Sequence, residues 1–204
     1  MQFMVRMKRI QILAGLLSLL VSLMISGSAY AQRAGVKTNL IYDATLSPNL
    51  GVEVGIGQRW TLDISGNLNL WNWKDNMKWK HWMVQPEVRY WTCQRFAGHF
   101  FGFHALAGQF NFGRIPNNIR LFGTDFSVLT DHRYQGWAFG AGLCYGYAIP
   151  IGKHWNLELE AGLGAVYSIA DGFECDVCNR SVQTGVRTLR PALTKAAISI
   201  VYLF

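Results

Sequence analysis

Two cysteines in the stretch FECDVC lie three residues apart, at Cys175 and Cys178. This spacing suits a short disulfide, and it equally supplies half of a zinc site. A complete zinc site needs four ligands, and the five histidines lie elsewhere in the sequence. We therefore expect a disulfide within one loop, with a half metal site or free thiols as the alternatives. We expect no complete metal site and no cofactor.

A second set of residues could support acyl hydrolysis or transfer, which needs a nucleophile, a base and a carboxylate close together. No motif fixes the mutual geometry of these residues, and the polar rim of a barrel would account for them equally well. We therefore expect no catalytic residues, and we keep a lipid-modifying barrel enzyme as the alternative function. The residues are Ser127, Ser168, His81, His132 and Asp131.

Nine charged residues recur at alternate positions of otherwise apolar stretches, which is typical of strands with one polar face. If these faces share one narrow interior, the charges would pair with one another where water is scarce. A path for ions or protons is the alternative to such a polar core. The predicted interior cluster comprises Lys37, Asp43, Glu53, Asp63, Glu87, Arg89, Glu158, Glu160 and Lys195.

The strand period is clearest in QGWAFGAGLCYGYAI, residues 135–149. The odd positions carry large apolar residues such as Trp137 and Leu143, and the even positions carry small ones such as Gly140 and Gly142. A soluble sandwich or a lipocalin-like barrel would bury the large face and expose a polar one. The observed pattern instead favours a narrow barrel whose large residues face lipid.

The same period predicts eight strands, an even number that lets an antiparallel up-and-down sheet close as an outer-membrane type of transmembrane β-barrel. Short and long links alternate between the strands, and the longest predicted loops are 114–132 and 170–190. Pro86 lacks a ladder donor, so we expect a bulge beside it. Eight strands leave an interior filled by side chains, so we expect no channel. The predicted strands are 36–44, 49–56, 60–73, 81–93, 100–113, 133–149, 155–169 and 191–204.

Residues 1–31 predict a secretory signal peptide, because basic residues precede an apolar run over 10–25 and AYA at 29–31 forms a cleavage site. A transmembrane anchor is the alternative, although the run is near the lower length limit for a span. Cleavage would leave one barrel domain over 32–204. Removal of three of the 19 basic residues leaves 16 against 12 acidic ones, a formal charge of +4. This small charge argues against a nucleic-acid partner.

The last predicted strand ends in aromatic residues, with Tyr202 and Phe204 on its outer face. This ending resembles the signal that the barrel assembly machinery of the outer membrane recognises. Tryptophans beside the turns and loops, including Trp60, Trp91 and Trp82, fit the aromatic girdles of a membrane barrel. Both features indicate the cell outer membrane as the location.

Four segments are similar to the small Bacteroidota outer-membrane proteins grouped as domain of unknown function 3575. The similarity covers nearly all of 32–204 and implies an eight-stranded outer-membrane barrel, without an established activity. Members are often encoded near fimbrial or adhesin genes, which implies a link to those surface structures. The segments are KTNLIYDATLSPNLGVEVGIGQRWTLDISG, KWKHWMVQPEVRYWTCQRFAGHFFGFHALAGQFN, DHRYQGWAFGAGLCYGYAIPIGKHWNLELEAGLG and TKAAISIVYLF.

Together these features predict a non-enzymatic, monomeric outer-membrane protein that acts through its extracellular loops. The expected partners are outer-membrane lipid, lipopolysaccharide, the barrel assembly machinery and a surface protein. Arginines in or beside the long links, such as Arg120, Arg133, Arg187 and Arg190, are placed to meet lipopolysaccharide phosphates or an acidic partner.

Overall fold

The computed structural model describes residues 34–71, 78–113, 120–121, 124–125, 132–174 and 181–204. The predicted signal peptide over 1–31 and the pair Cys175 and Cys178 lie outside these ranges. Helix α1 is Leu40–Ala44, and no helix within these ranges is long and apolar enough to cross a membrane. The strands are β1 Ala34–Asn39, β2 Asn49–Gly55, β3 Trp60–Asn69, β4 Lys78–Trp91, β5 Gly98–Gly113, β6 Arg120–Leu121, β7 Thr124–Asp125, β8 His132–Pro150, β9 Trp155–Glu174 and β10 Ser181–Leu203.

Eight strands form a closed antiparallel barrel in the order β1-β2-β3-β4-β5-β8-β9-β10, and β10 pairs back to β1. The closing ladder sets Gly35 opposite Leu203 and Thr38 opposite Ile200. Closure removes the free edges that an open sheet would leave. Strands β6 and β7 pair only with each other, within the link between β5 and β8. The predicted all-β, up-and-down fold of eight strands is confirmed.

The connections differ in length at the two ends of the barrel. Short connections over 56–59, 92–97 and 151–154 lie at one end, which we call the turn end. Two of these turns are closed by backbone hydrogen bonds from Ile56 to Trp60 and from Ile151 to Trp155, each of 2.9 Å. Helix α1 and the opposite ends of the strands lie at the other end of the barrel, which we call the loop end. Strand β1 begins and β10 ends at the turn end.

The first strand is shorter than predicted, because the chain turns into α1 after Asn39. The Asn39 side chain accepts a hydrogen bond of 3.1 Å from the backbone N–H of Ile41 and so caps the helix. Asp43 accepts hydrogen bonds from Thr38 Oγ1 at 2.8 Å and from Asn49 Nδ2 at 2.7 Å. These local bonds hold Asp43 at the exposed rim of the loop end. The prediction that Asp43 belongs to the interior cluster is therefore wrong.

The predicted loop over 170–190 is mostly strand. Strand β9 continues to Glu174 and β10 already begins at Ser181, so the barrel wall extends further on this side than the sequence indicated. The extension pairs Arg187 with Ile169 and Arg190 with Val166. The backbone ladder continues here because antiparallel neighbours satisfy each other's N–H and C=O groups without needing apolar alternation.

A bulge interrupts β10 rather than β4. The register between β10 and β9 shifts between Leu193 and Lys195, so Thr194 and Lys195 both face the interior and are buried. At Pro86 the pairing with β3 continues in register, and the pairing with β5 resumes in the same register on both sides. The bulge predicted beside Pro86 is therefore wrong. The missing donor only interrupts the ladder with β5.

The two faces of the wall differ as the alternation predicts. On the outer face Leu143, Leu163 and Phe103 are 69%, 59% and 57% exposed, respectively. Many interior positions are small, polar or charged, and Glu158 on the inner face of β9 is 1% exposed. The barrel therefore has an apolar exterior and buries its charges, which is the reverse of a water-soluble protein.

Candidate functional site

The turn end of the interior is closed by a cluster of apolar side chains. The Trp91 and Phe100 rings lie 4.7 Å apart, and Trp91 Nε1 donates a hydrogen bond of 2.9 Å to Thr61 Oγ1. Trp91 is fully buried, so its assignment to an outer girdle is wrong; the alternation along β4 already places it inward. The cluster comprises Trp91, Phe96, Phe100, Ala148, Val201 and Leu203.

Above this floor, the structure brings together eight of the nine charged residues predicted for the interior. Six strands supply them, and each side chain is at most 6% exposed. Strand register explains the assembly, because Glu53 lies opposite Asp63 and Asp63 lies opposite Glu87. The members, which we call the charged layer, are Lys37, Glu53, Asp63, Glu87, Arg89, Glu158, Glu160 and Lys195.

Arg89 is the centre of the charged layer. Its Nε atom donates to Glu87 at 2.6 Å, Nη1 donates to Glu53 at 2.8 Å and to Glu158 at 3.0 Å, and Nη2 donates to Glu160 at 2.8 Å. One guanidinium thus joins carboxylates from β2, β4 and β9. A planar, forked cation can reach four acceptors at once, whereas a lysine at this position would donate to fewer of them.

Two lysines complete the pairing on opposite sides. Lys37 Nζ lies 2.5 Å from Glu53 and 3.2 Å from Glu158, and Lys195 Nζ pairs with Glu87 and lies 3.4 Å from Glu160. Each of these four carboxylates therefore contacts one lysine as well as the guanidinium at the centre. These ion pairs link side chains from β1, β2, β4, β9 and β10 across the interior.

Asp63 occupies a central position between all three cations. Its carboxylate oxygens lie 3.5 Å from Lys37, 3.6 Å from Arg89 and 3.6 Å from Lys195, and neither oxygen has a hydrogen-bond partner among the described residues. A cavity of about 30 Å³ borders Asp63 and Glu160 and has the volume of one water molecule. Five acids against three cations give the layer a formal charge of −2 when all are ionised.

A group of hydrogen-bonded polar side chains lies between the charged layer and the loop end. His104 Nε2 shares a hydrogen bond of 2.8 Å with Thr194 Oγ1, and Gln85 Nε2 donates to the Thr194 carbonyl at 3.0 Å. Thr194 reaches the interior only because the bulge in β10 turns it inward. Sequence alternation could not reveal this contribution, since it assigns Thr194 to the outer face.

Glu87, His104 and Cys144 place potential metal ligands within 4.8 Å of one another. Glu87 already accepts hydrogen bonds from Arg89 and Lys195, and Cys144 Sγ donates to it at 3.2 Å. A divalent cation here would have to approach two positively charged side chains. The donor set therefore fits an ion-pair network better than a metal centre.

The loop end of the interior contains a mainly apolar cavity of about 350 Å³. Inward side chains of β4 and β5 form its wall, and α1 contributes Tyr42 from above. The rings of Trp79 and Phe112 lie 5.0 Å apart, and those of Phe112 and His81 lie 6.0 Å apart. One feature of the sequence could have indicated this aromatic surface. Phe110 and Phe112 occupy the alternate positions of β5 that face the interior.

Of the residues considered for acyl hydrolysis, His81 and Ser168 have described side chains. Ser168 Oγ shares a hydrogen bond of 2.7 Å with Thr188 Oγ1, whereas the His81 ring contacts Tyr42 and Phe112. The structure therefore gives these two residues separate partners. Ser127 and Asp131 lie outside the described residues, as does the His132 side chain.

The end of β10 presents its aromatic residues outward. Phe204 is 57% exposed, its ring contacts Tyr202 at 5.1 Å, and Tyr202 contacts Trp155 at 4.9 Å. The Phe204 backbone N–H donates to the Ala34 carbonyl at 2.9 Å, which ties the end of the chain to β1. The predicted assembly residues thus lie together on the outer face at the turn end.

Fold and interior together define a class of protein: a small, closed, eight-stranded antiparallel barrel with an apolar exterior and an interior crossed by buried ion pairs. Residues 16–204 match the family described as Protein of unknown function (DUF3575), so the chain belongs to this family. The resemblance inferred from the sequence is thereby confirmed. Neither a curated protein nor a solved structure matches the chain.

Proposed function

We propose that this protein is an outer-membrane barrel closed to ions, without catalytic activity, which serves as a structural or interaction protein through its loop end. The proposal rests on one observation. The outer face of the barrel is apolar, whereas its charged residues are buried inside in the charged layer. Large exposed residues such as Leu143 and Leu163 need lipid rather than water around them. The charges that a soluble protein would expose are instead buried inside.

The charged layer supports the closed state of the interior. Arg89 and its four carboxylate partners occupy the middle of the barrel, and the apolar cluster around Trp91 and Phe100 closes the turn end below it. A conducting pore needs a continuous hydrated path, and eight strands enclose too little space for one beside these side chains.

The loop end supports the interaction role. Connections at the turn end are short, whereas the loop end carries α1, the β6–β7 hairpin and the extension of β9 and β10. Lipopolysaccharide and a surface protein are the partners that this end would meet outside the cell, where Arg187 and Arg190 are exposed on the extension.

Location and closure are tested together on the purified protein. We expect it in the detergent-extracted outer-membrane fraction, with faster gel migration before heating than after, because a closed barrel resists unfolding in detergent. In planar bilayers we expect no single-channel steps. Recovery from the soluble periplasm would overturn the membrane location, and reproducible conductance steps would overturn the closed interior.

The interaction role is tested by a photoreactive amino acid placed at either end. Leu46 at the loop end and Ile151 at the turn end are aliphatic and 59% and 64% exposed, which makes them a matched pair. In whole cells we expect a specific protein or lipopolysaccharide adduct from position 46 that is absent from position 151. Identical adducts from both ends, or none from position 46, would contradict the role of the loop end.

A further inference from the structure

The cavity at the loop end lies outside the charged layer and is not needed for closure. Its volume of about 350 Å³ falls in the range of small-molecule sites, which starts at about 300 Å³. A cavity of about 150 Å³ lined by apolar side chains is already large enough to hold benzene. The cavity here therefore has room for a ligand of more than one ring or of a medium-length chain.

Apolar side chains dominate the walls of this cavity. Met83 and Leu106 lie toward the charged layer, Trp79 and Phe112 lie toward the loops, and Ile41 of α1 lies across them. Interior positions near the mouth of a membrane barrel are ordinarily polar, because water reaches them. An apolar mouth leaves these surfaces in contact with water, which is unfavourable, and an apolar ligand would remove that contact.

We propose that this cavity binds one medium-length acyl chain. The rings on the cavity wall are inclined to one another, by 26° for Phe110 and Phe112 and by 35° for Trp79 and Phe112, which favours a flexible chain over a planar aromatic ligand. The neighbouring pair of His81 and Phe112 is inclined by 60°. A flexible chain follows such irregular walls, and the thioether of Met83 adapts to it.

His81 lines the cavity, and its ring lies against those of Tyr42 and Phe112. The wall therefore offers mainly apolar and aromatic surface, which suits the chain rather than its head group. The proposal is independent of the role of the loops, since the cavity would bind its ligand whether or not a protein partner is present.

The test uses the full-length mature barrel in nanodiscs, so that no detergent competes for the cavity. The probe is dodecanoate with a photoreactive diazirine at the end of its chain, and the labelled residues are mapped by mass spectrometry. We expect label on inward residues such as Met83 and Phe110 that excess dodecanoate competes away. Label confined to outward residues, and not reduced by competition, would overturn the proposal.

Two phenylalanine substitutions on β8 provide the matched comparison. Ala138 lines the cavity, whereas Ala141 is exposed on the outer face of the same strand. Ala138→Phe should fill the cavity and reduce the competed label about tenfold, because the added ring occupies the space of the chain; tenfold corresponds to about 1.4 kcal/mol of binding free energy. Ala141→Phe should leave the competed label unchanged. Equal competed label in the wild type and in Ala138→Phe would contradict the proposal.

A second variant keeps the test decisive if Ala138→Phe does not assemble. Met83→Trp fills the same cavity from β4, and gel migration before heating reports which variants have folded. At least one folded filling variant should lose the competed label, and retention by a folded Met83→Trp barrel would also overturn the proposal.

The source of the chain is resolved by a second probe. A lysophospholipid with the same diazirine chain should label Met83 if the ligand is the chain of a membrane lipid. Label from dodecanoate alone would identify a free fatty acid as the ligand. Failure of both probes would contradict the proposal of an acyl-chain site.

Discussion

Arg89 shows how a single residue can organise the interior of a barrel. Its guanidinium joins four carboxylates and also lies 4.5 Å above the Phe100 ring, so it links the charged layer to the apolar floor. Burying these charges has a large desolvation cost, which good geometry on every hydrogen-bonding atom offsets. A residue in this position stabilises the barrel mainly because its removal leaves five buried carboxylates with only two lysines to pair with.

Arg89→Leu should therefore destabilise the barrel by about 3–5 kcal/mol, the usual cost of breaking a buried ion pair. The loss should shrink as the pH falls, because protonated carboxylates no longer need the guanidinium. The measurement is the guanidinium chloride midpoint of the barrel in phospholipid vesicles. Arg59→Leu removes an exposed arginine near the turn end and should leave the midpoint almost unchanged. Equal midpoints for the two variants would refute the central role of Arg89.

At the scale of the elements, strands β8 and β9 lie close together at positions where both carry glycine. Gly142 and Gly164 lie directly opposite each other, and a Cβ atom at Gly164 would overlap the carbonyl oxygen of Ala141. Neither glycine is needed for its backbone angles here; each is needed because no side chain fits between the two strands. This close approach helps a narrow interior to accommodate the larger side chains of the facing wall.

Gly164→Ala should block or strongly slow closure of the barrel, because the added methyl group meets backbone atoms that cannot move without breaking the ladder. We expect loss of most of the form that migrates faster before heating. Gly152→Ala is the control, since a Cβ atom at Gly152 has nothing within 4 Å. Normal assembly of the Gly164→Ala barrel would show that the strands can separate there.

At the scale of the whole molecule, the barrel is layered along its axis. An apolar floor closes the turn end, the charged layer fills the middle, and the apolar cavity opens toward the loop end. The exterior is apolar along the length of β8, where Trp137, Leu143 and Ile149 are exposed. Charge is thus kept away from the surface that we propose to face lipid, while the last residues of the chain remain accessible at the turn end.

Phe204→Ala should lower the amount of barrel assembled in cells several-fold without preventing refolding of purified protein into vesicles. The reason is that an exposed terminal ring contributes little to the interior, whereas an assembly machinery can read it. The two measurements are immunoblots of outer membranes and gel migration after refolding. Leu143→Ala, an exposed position on the outer wall, should not lower cellular assembly. If both variants assemble equally well in cells, Phe204 is not part of the signal.

The alternation of side chains determined much of this protein without further information. It separated the outer face, with residues such as Leu143, from the inner face, with residues such as Glu158, and it predicted eight strands. Parity is a local property of an extended chain, so it remains valid wherever the strand is regular. For the same reason it placed eight of the nine charged residues on the inner face before any contact was known.

Tertiary structure decided what depends on register, closure and local interruption of the strands. Asp43 left the interior because α1 replaced the end of a strand, and Thr194 entered it because a bulge reversed the parity of β10. The height of each side chain along the barrel axis also depends on how neighbouring strands are staggered. That stagger sets Arg89 among its carboxylates and groups Phe110 and Phe112 around a cavity, and it is a property of paired strands rather than of any single one.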